Sequence, residues 1–141
     1  MKTPSLLKIG ELATRAKVSV DTIRFYENKD LLRASRRSST GYRLFIEEDL
    51  TRLLFIVRAK QVGFTLDEIG ELLELKLHPE EHTCQEVKQK TQIKIDKVSQ
   101  KIAELERIRR SLVKLHRVCG GGTSSAQHCS ILQLLESDNL L

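Results

Sequence analysis

The longest helical pattern in the chain runs from about Cys84 to about Val118, and it constrains the fold more than any other feature. Nothing in this stretch breaks a helix. A capping box, Thr83 to Glu86, opens it, and Gly120 stands where a helix-ending glycine belongs. Apolar residues recur on one face at spacings of three and four: Ile95, Val98, Ile102, Leu105, Ile108, Leu112 and Leu115. Because a lone helix must bury such a face and no other segment is long enough to cover it, we predict a homodimer.

Two cysteines mark the ends of this predicted helix. Cys84 and Cys119 are 35 residues apart, and this is about 52 Å on a straight helix, so they cannot share a metal ion within one chain. An antiparallel helix pair with its two-fold axis near Lys101 and Ile102 would place Cys84 of one chain beside Cys119 of the other. The sequence therefore predicts two composite sites per dimer, each shared between the subunits.

The third cysteine, Cys129, precedes "SILQLL", which has the pattern of a short amphipathic helix. Cys84 and Cys129 would then both lie at helix N-termini, where the partial positive charge favours a thiolate. Cys119 would supply the third thiolate, and His128 would be the fourth ligand. Such a ligand set suits a soft or borderline divalent ion. Zn(II) is the expected ion, and Cd(II), Pb(II) and Hg(II) are the others to consider. For each cysteine the alternative is a small buried hydrophobic residue.

Charge and composition narrow the class of protein. Residues 1–60 carry 13 Lys and Arg against 7 Asp and Glu, a net charge of +6, whereas the remainder carries 11 against 12, a net charge of −1. A basic N-terminal unit attracts phosphate backbones. The sequence has no signal-peptide pattern and no apolar run of membrane-spanning length. We therefore expect a cytoplasmic protein without a membrane partner, in which three cysteines are not a disulfide framework.

The N-terminal segment has the pattern of a helix-turn-helix. Ile9, Leu12 and Ala16 lie on one face of a first helix, "KVSV" breaks it, and Ser19 offers the N-cap of a second helix. Two short helices across a tight turn are common packing units. The second helix, however, carries side chains that can bond bases or phosphates: Thr22, Arg24 and Tyr26.

An arginine-rich hairpin follows directly. Arg33, Arg36 and Arg37 precede the turn-forming "SSTG", and the segment Tyr42 to Phe45 has strand character. This predicts a small wing with at least four arginines, of which Arg36 and Arg37 are DNA-binding candidates. A solvated basic loop is the alternative. A basic hairpin directly after a helix-turn-helix is much less common by chance, so the combination favours DNA binding.

Two further amphipathic helices complete the first domain, and the second of them starts with a capping box, Thr65 to Glu68. We therefore predict a mainly α fold with three parts. Residues 1–78 form a winged helix-turn-helix DNA-binding domain, and residues 79–118 form an antiparallel coiled-coil dimerisation helix. Residues 119–141 form a metal-binding loop and a short C-terminal helix.

The order of these segments, with "IGELA", "DTIRFYE" and "GYRLF" in the DNA-binding half, resembles the MerR family of bacterial transcriptional regulators over nearly the whole chain. "HTCQEVK", "IAELERIRRSL" and "CSIL" look like the zinc-responsive branch, the regulator of a zinc-exporting P-type ATPase. The resemblance implies a dimer on an inverted-repeat promoter with an overlong spacer, each recognition helix in a major groove. It implies further that the metal-bound dimer bends and undertwists the DNA, which presents both promoter elements to RNA polymerase.

The resemblance also assigns roles to individual residues. Matching positions imply DNA contacts from the helix-turn-helix and the wing: Lys17, Ser19, Thr22, Arg24, Tyr26, Tyr42 and Arg43. Cys84, Cys119 and Cys129 match the family's metal ligands. In the copper-responsive branch a serine takes the place of Cys84, so this cysteine favours a divalent ion over Cu(I).

This chain departs from the zinc-responsive branch at two loop positions. Gly120 occupies the place where a second cysteine is common, and small polar residues such as Ser124 replace a histidine in the middle of the loop. The departures imply one metal ion per site instead of a pair. They also weaken the distinction between zinc and cadmium, lead or mercury.

Other functional classes fit the sequence less well. A metal-buffering dimer would need neither the arginine-rich wing nor the segregated charge. A redox sensor would use a disulfide between Cys119 and Cys129. An iron–sulfur sensor lacks two of the four thiolates that it needs in the loop. No nucleophile–base–acid set or phosphate-cradling motif is found, so the chain is not predicted to be an enzyme.

Overall fold

The computed structural model describes residues 5–137 and divides the chain into two compact units, Met1–Cys84 and Gln85–Leu141. The predicted boundary after residue 78 coincides with the start of a 3-10 turn, Pro79–Glu81, just before this division. The elements in chain order are β1 (Leu7–Lys8), α1 (Ile9–Ala16), α2 (Val20–Asn28), β2 (Arg36–Arg37), β3 (Arg43–Phe45), α3 (Glu47–Gln61), α4 (Leu66–Leu77), α5 (Cys84–Arg117) and α6 (Ser130–Glu136).

Helices α1 and α2 form the predicted helix-turn-helix. Helix α1 ends at Lys17, which adopts the left-handed conformation with φ of 57°. The next residue, Val18, donates its backbone N–H to the Ala13 carbonyl at 3.0 Å. Helix α2 begins where Ser19 Oγ accepts the backbone N–H of Thr22 at 3.1 Å, so the predicted N-cap is confirmed. These caps hold the turn between the two helices tight.

The wing is part of a three-stranded antiparallel sheet in the order β1–β3–β2. Strands β2 and β3 form the predicted hairpin, with Arg37 opposite Arg43. Gly41 supplies the hairpin turn with a φ of 91°, which only glycine adopts readily. Strand β1 pairs Leu7 with Phe45 and was not predicted, because two residues are too few to show an alternating pattern. This strand joins the wing to the start of α1.

The core of the first unit lies between the sheet and helices α1 to α4. The largest side chains with less than 2 % exposure are Phe45, Leu12, Ile23, Leu53, Ile56 and Ile69. Helix α4 begins with the predicted capping box: the Thr65 N–H donates to Glu68 Oε1 at 2.8 Å, and the Glu68 N–H donates to Thr65 Oγ1 at 3.2 Å. The first unit therefore has a packed core of its own, on which α2 and the wing are mounted.

One buried carboxylate holds both ends of the wing. Asp49, in the first turn of α3, is 7 % exposed. Its Oδ1 accepts the Ser35 hydroxyl at 2.7 Å, and its Oδ2 accepts the Ser35 N–H at 3.3 Å and the Ile46 N–H at 2.9 Å. Because Ser35 precedes β2 and Ile46 follows β3, Asp49 fixes both wing ends to α3. The helix N-terminus also favours the negative charge there.

Helix α5 confirms the long helix predicted from the sequence. It runs for 34 residues, and none of its side chains is buried. Ile102, Leu105 and Leu112 on the predicted apolar face are 52 %, 64 % and 58 % exposed. In residues 5–137 of a single chain, therefore, nothing covers this face. The described residues contain no helix that combines the length and the apolar character needed to cross a bilayer.

The end of α5 differs from the prediction. Val118 donates its N–H to the Leu115 carbonyl at 3.2 Å, a bond that tightens the last turn. Gly120 does not adopt a positive φ, whereas Gly121 and Gly122 do, at 78° and 101°. The first residue with a left-handed backbone conformation after α5 is therefore Gly121, one residue later than predicted, and Gly120 does not have that role.

Removing the Asp49 carboxylate is expected to destabilise the first unit. Asp49→Ala leaves the Ser35 hydroxyl and the Ser35 and Ile46 N–H groups without their acceptor, which should lower the free energy of unfolding by about 2–3 kcal/mol. Urea denaturation followed by circular dichroism measures the change.

The matched control is Glu48→Ala, which removes a neighbouring, exposed carboxylate from the same helical turn. This substitution should change the free energy of unfolding by less than about 0.5 kcal/mol. Equal effects of the two substitutions would contradict the role assigned to Asp49.

Candidate metal centre and nucleic-acid interface

The two loop cysteines lie together beyond the end of α5. Cys119 follows the last turn of α5, and Cys129 directly precedes α6. Both are partly buried, and the Cys119 side chain is close enough to the Cys129 thiol to lower its pKa. Cys119 Sγ also accepts the Gly121 N–H at 3.4 Å. The loop thus brings the two thiols to one place.

The N-terminus of α6 faces the Cys129 thiol. The backbone N–H groups of Leu132 and then Ile131 lower the pKa of this thiol; desolvation opposes them, and the Cys119 side chain lowers the pKa further. A lower pKa increases the thiolate fraction at a given pH, and the thiolate is the form that binds metal. Two adjacent sulfur atoms in such surroundings fit a soft or borderline divalent cation.

The third cysteine is at the far end of α5. Cys84 is the first residue of the helix and is exposed. A helix of 34 residues is about 51 Å long, so one chain offers two thiols at one end of α5 and one at the other. His128 ends a 3-10 turn, Ala126–His128, and its side chain is exposed. Its role as a fourth ligand remains a prediction.

A different set of potential ligands precedes α5. His78, Glu80 and Glu81 offer ligand atoms within 4.8 Å of one another, and all three side chains are exposed. Across residues 5–137 this is the only group of three or more His, Cys, Asp or Glu side chains that lie so close. Exposed acidic residues often cluster without binding metal, and this group contains no cysteine, so we assign no site to it.

Most of the predicted DNA-contacting side chains of the helix-turn-helix reach solvent. Lys17, Ser19 and Arg24 are exposed. The Arg24 guanidinium is 4.0 Å from Asp21, a loose contact that leaves 55 % of the side chain exposed. Thr22 is half-buried, and its Oγ1 lies 2.8 Å from Ser19 Oγ, so these two hydroxyls also serve the start of α2.

Tyr26 is the exception. Its side chain is part of the core, with 7 % exposure, and burial raises the pKa of its hydroxyl. In this structure Tyr26 therefore packs in the core beneath α2, and its ring is not presented to solvent.

The wing presents further basic and aromatic side chains. Arg36, Arg37 and Tyr42 are exposed, Tyr42 by 70 %. Arg37 Nη1 donates to the Gly41 carbonyl at 3.0 Å across the hairpin turn. Arg43 differs from the others because its Nη1 donates to Glu27 of α2 at 3.2 Å. The first unit thus carries an exposed basic surface on α2 and the wing, as a nucleic-acid interface requires.

Phe25 is an exposed aromatic residue of α2 that was not among the predicted DNA contacts. Its ring is 47 % exposed on α2, and Lys29 Nζ lies 5.7 Å from the ring centroid. An exposed ring beside Arg24 can make an apolar contact with a thymine methyl group. The available signal was helical geometry: with Ile23 and Tyr26 facing the core, residue 25 must face away from it.

Comparison with protein families identifies both halves of the chain. Residues 7–76 match the family described as "MerR HTH family regulatory protein". Residues 50–115 match the family described as "MerR, DNA binding". The two matches together run from β1 through most of α5.

Individual relatives extend the similarity over nearly the full length. The chain is 46 % identical over 131 residues to the HTH-type transcriptional regulator ZntR of Escherichia coli strain K12, with 93 % of each chain covered. The crystal structure of the transcription regulator PbrR691 from Ralstonia metallidurans CH34 in complex with lead(II) has a TM-score of 0.83 and 40 % identity, and the match covers 92 % of this chain and 98 % of that chain.

A third relative includes DNA. HiNmlR, a MerR family regulator lacking the sensor domain, was solved bound to promoter DNA. It has a TM-score of 0.57 and 26 % identity, and the match covers 80 % of this chain and 85 % of that chain. These findings confirm the predicted family and the mainly α fold. The chain belongs to the MerR family of helix-turn-helix transcription regulators, which are DNA-binding proteins and not enzymes, and within that family it is similar to ZntR.

Proposed function

We propose that this protein is a metal-responsive transcriptional activator whose inducer is a divalent ion, with Zn(II) favoured. The observation that carries the proposal is the position of the cysteines: Cys119 and Cys129 together at one end of α5, and Cys84 at the other. Similarity to ZntR and to a lead-bound regulator supports a metal inducer. The target would be a metal-export or resistance promoter in the cytoplasm.

The proposed functional form is a homodimer in which the two α5 helices run antiparallel and cross near Lys101 and Ile102. The exposed apolar face of α5 supports this arrangement, because a helix so long and so uncovered is not stable alone. Antiparallel pairing completes each metal site in trans: Cys84 comes from one subunit, and Cys119 and Cys129 come from the other.

Each proposed site holds one ion. The ligands would be Cys84, Cys119 and Cys129, with His128 as the fourth, and neither Gly120 nor Ser124 offers the extra sulfur or nitrogen that a pair of ions would need. Cd(II), Pb(II) and Hg(II) are the alternative inducers, since sulfur ligands also suit these softer ions. A bound ion would supply a cross-link between the two subunits.

The location of Cys84 explains how such a cross-link could act on DNA. Cys84 lies where the first compact unit ends and the second begins. Holding this residue to the partner's loop would restrict the freedom of the DNA-binding unit with respect to the dimerisation helix. We propose that this restriction selects a dimer that bends and undertwists the promoter spacer, so that RNA polymerase can engage both promoter elements.

The proposed DNA interface consists of α2 in the major groove of each half of an inverted repeat, with the wing beside the phosphate backbone. The residues assigned to it are Lys17, Ser19, Thr22, Arg24, Tyr26, Arg36, Arg37, Tyr42 and Arg43. Six of them are exposed (Lys17, Ser19, Arg24, Arg36, Arg37 and Tyr42) and Thr22 and Arg43 are half-buried, and this accessibility and the promoter-bound structure of HiNmlR support the assignment. The assignment of Tyr26, which is buried, rests on similarity of motifs alone.

A second candidate function is thiol redox sensing by the same loop. The proximity of Cys119 to Cys129 and the lowered pKa of Cys129 would both favour a disulfide between them. In that case an oxidant such as a hydroperoxide, and not a metal ion, would activate transcription, and Cys84 would be dispensable. Metal sensing is preferred because it gives all three cysteines a role.

Transcription in vitro tests the proposed function directly. Promoter fragments retained by the protein from sheared genomic DNA of its source would be transcribed with RNA polymerase and titrated with buffered Zn(II), Cd(II), Pb(II), Hg(II) and Cu(I). Zn(II) should raise transcript levels several-fold, and Cu(I) should have no effect, because the copper-responsive branch has a serine in the place of Cys84.

Three outcomes of that titration would speak against the proposal. Failure to retain any promoter fragment would remove the DNA-binding function. If the protein retains promoter fragments but none of the ions changes their transcription, the sensor function is contradicted. Activation by hydroperoxide in the presence of a chelator would favour the redox alternative.

Mixed dimers test whether the metal site is shared. Chains carrying Cys84→Ser and chains carrying Cys119→Ser would each form homodimers with incomplete sites, and their zinc affinity should fall by more than about 100-fold. The heterodimer of the two chains has one site that lacks both cysteines and one intact site. It should therefore bind one ion per dimer with wild-type affinity, as measured by competition with a chromophoric chelator.

Ser124→Ala is the control for that experiment, because Ser124 lies in the same loop and is not an assigned ligand. It should bind two ions per dimer with unchanged affinity. Normal zinc binding by either cysteine-variant homodimer would contradict the composite site.

A further inference from the structure

Glu27 is an acidic residue on the proposed recognition helix, where a negative charge would repel DNA. Its side chain is only 13 % exposed and pairs with Arg43 of β3 at 3.2 Å, and the Arg43 side chain is 37 % exposed. For the part of the chain that the structure describes, this is the only hydrogen bond or ion pair seen between α2 and the wing strands. The pair therefore joins the two elements that are proposed to meet DNA.

The other attachments of the wing lie at the base of the hairpin, where β3 pairs with β1 and Phe45 is buried in the core. Asp49 holds the residues before β2 and after β3, and the sheet packs on α1. A cleft of about 650 Å³ opens next to the C-terminal part of α2, and its lining includes Glu27, Ser35 and Asp49. Open space thus separates α2 from the loop that enters the wing. Without the ion pair, the part of the hairpin nearest its turn, from Arg37 to Arg43, would have no polar link to α2 among the described residues and could move relative to it.

Given the DNA-binding function proposed above, we propose that Glu27 is a positioning residue. By accepting the hydrogen bond from Arg43 it fixes the wing relative to α2, so that both elements meet DNA as one body. A surface ordered before binding loses less conformational entropy on binding, and this raises affinity. Arg43 then acts through Glu27, and this role replaces the direct DNA contact assigned to Arg43 above.

The proposal predicts an effect opposite in sign to that of simple electrostatics. Removing an acid from a DNA-binding surface ordinarily strengthens binding, since it makes the surface more positive. Removing Glu27 should instead weaken binding, because the wing loses its link to α2. The direction in which DNA affinity changes when Glu27 is removed therefore distinguishes a positioning role for Glu27 from a charge that is merely tolerated.

The experiment compares the full-length chains carrying Glu27→Ala, Arg43→Ala and both substitutions. The probe is a fluorescent duplex that wild-type protein selects from a random-sequence library, and anisotropy gives the affinity over a range of salt concentrations. Each single substitution should weaken binding about three- to tenfold. The double variant should bind no more weakly than either single variant, because residues that act as a pair are not additive.

Asp30→Asn is the matched charge control. Asp30 lines the same cleft, is exposed and has a φ of 59°, a conformation that asparagine tolerates. The substitution removes the same charge without breaking the ion pair and should leave DNA binding unchanged or slightly stronger.

Glu27→Gln keeps an acceptor oxygen for Arg43 and should recover part of the affinity lost in Glu27→Ala. Thermal unfolding of each variant shows whether the fold is retained.

Salt dependence separates the two possible roles of Arg43. The slope of log K against log salt should be the same for Arg43→Ala and wild type if Arg43 only positions the wing. A slope reduced by about 1 would mean that a phosphate contact is lost, and it would overturn the assignment of Arg43. Unchanged or tighter binding by Glu27→Ala, like that of Asp30→Asn, would overturn the role of Glu27. If wild-type protein selects no duplex at all, the DNA-binding function fails as well.

Discussion

The uncovered apolar face of α5 is the constraint on which the rest of the proposed assembly depends. A helix of 34 residues with large exposed side chains at Ile95, Ile102 and Leu105 cannot be the working form of a single chain in water. In the proposed dimer, a second copy covering that face would fix several things together: two DNA-binding units per molecule, a two-fold axis that suits an inverted repeat, and the meeting of cysteines from different ends of the helix. In this proposal the pairing of the two α5 helices determines both the metal site and the geometry of DNA binding.

Polar contacts, and not additional core, orient the parts of the first unit that are proposed to meet DNA. The core residues Leu12, Ile23 and Phe45 hold α1, α2 and β3 together. The wing projects from that core, and its ends are fastened by the Asp49 carboxylate. Charge-assisted hydrogen bonds of this kind have narrow geometric requirements, so they fix orientation more sharply than apolar contact does.

The fold could be predicted from the sequence wherever local signals were strong. Ser19 and Thr65 form the predicted caps, and the uninterrupted pattern of α5 identified a helix that ends within one residue of the prediction. The two-residue strand β1 could not be predicted, because its partner, β3, is distant in the sequence. The same limit applies to Asp49, since an acid in the first turn of a helix gives no sign of the distant serine that it binds.

The candidate site shows the same division between local and long-range information. Spacing alone indicated that Cys84 and Cys119 lie too far apart to share an ion within one chain, and the length of α5 agrees. Helical periodicity could have identified Phe25 as outward-facing and Tyr26 as a core residue, whereas the assignment of Tyr26 to the DNA interface rests on similarity of motifs alone. The pairing of Arg43 with Glu27 depends on how β3 lies next to α2, and no local pattern encodes it.

Distances between spin labels in the dimer test the central claim most directly. A chain carrying Cys119→Ser and Cys129→Ser retains Cys84 as its single labelling site. In an antiparallel dimer the two labels on Cys84 should be about 50 Å apart. A mixture with labelled chains that retain only Cys119 should add a short distance, close to the interhelical spacing of about 10 Å. An antiparallel dimer with shared metal sites would be contradicted if the two labels on Cys84 lay about 10 Å from each other. It would also be contradicted if neither sample showed dipolar coupling between labels.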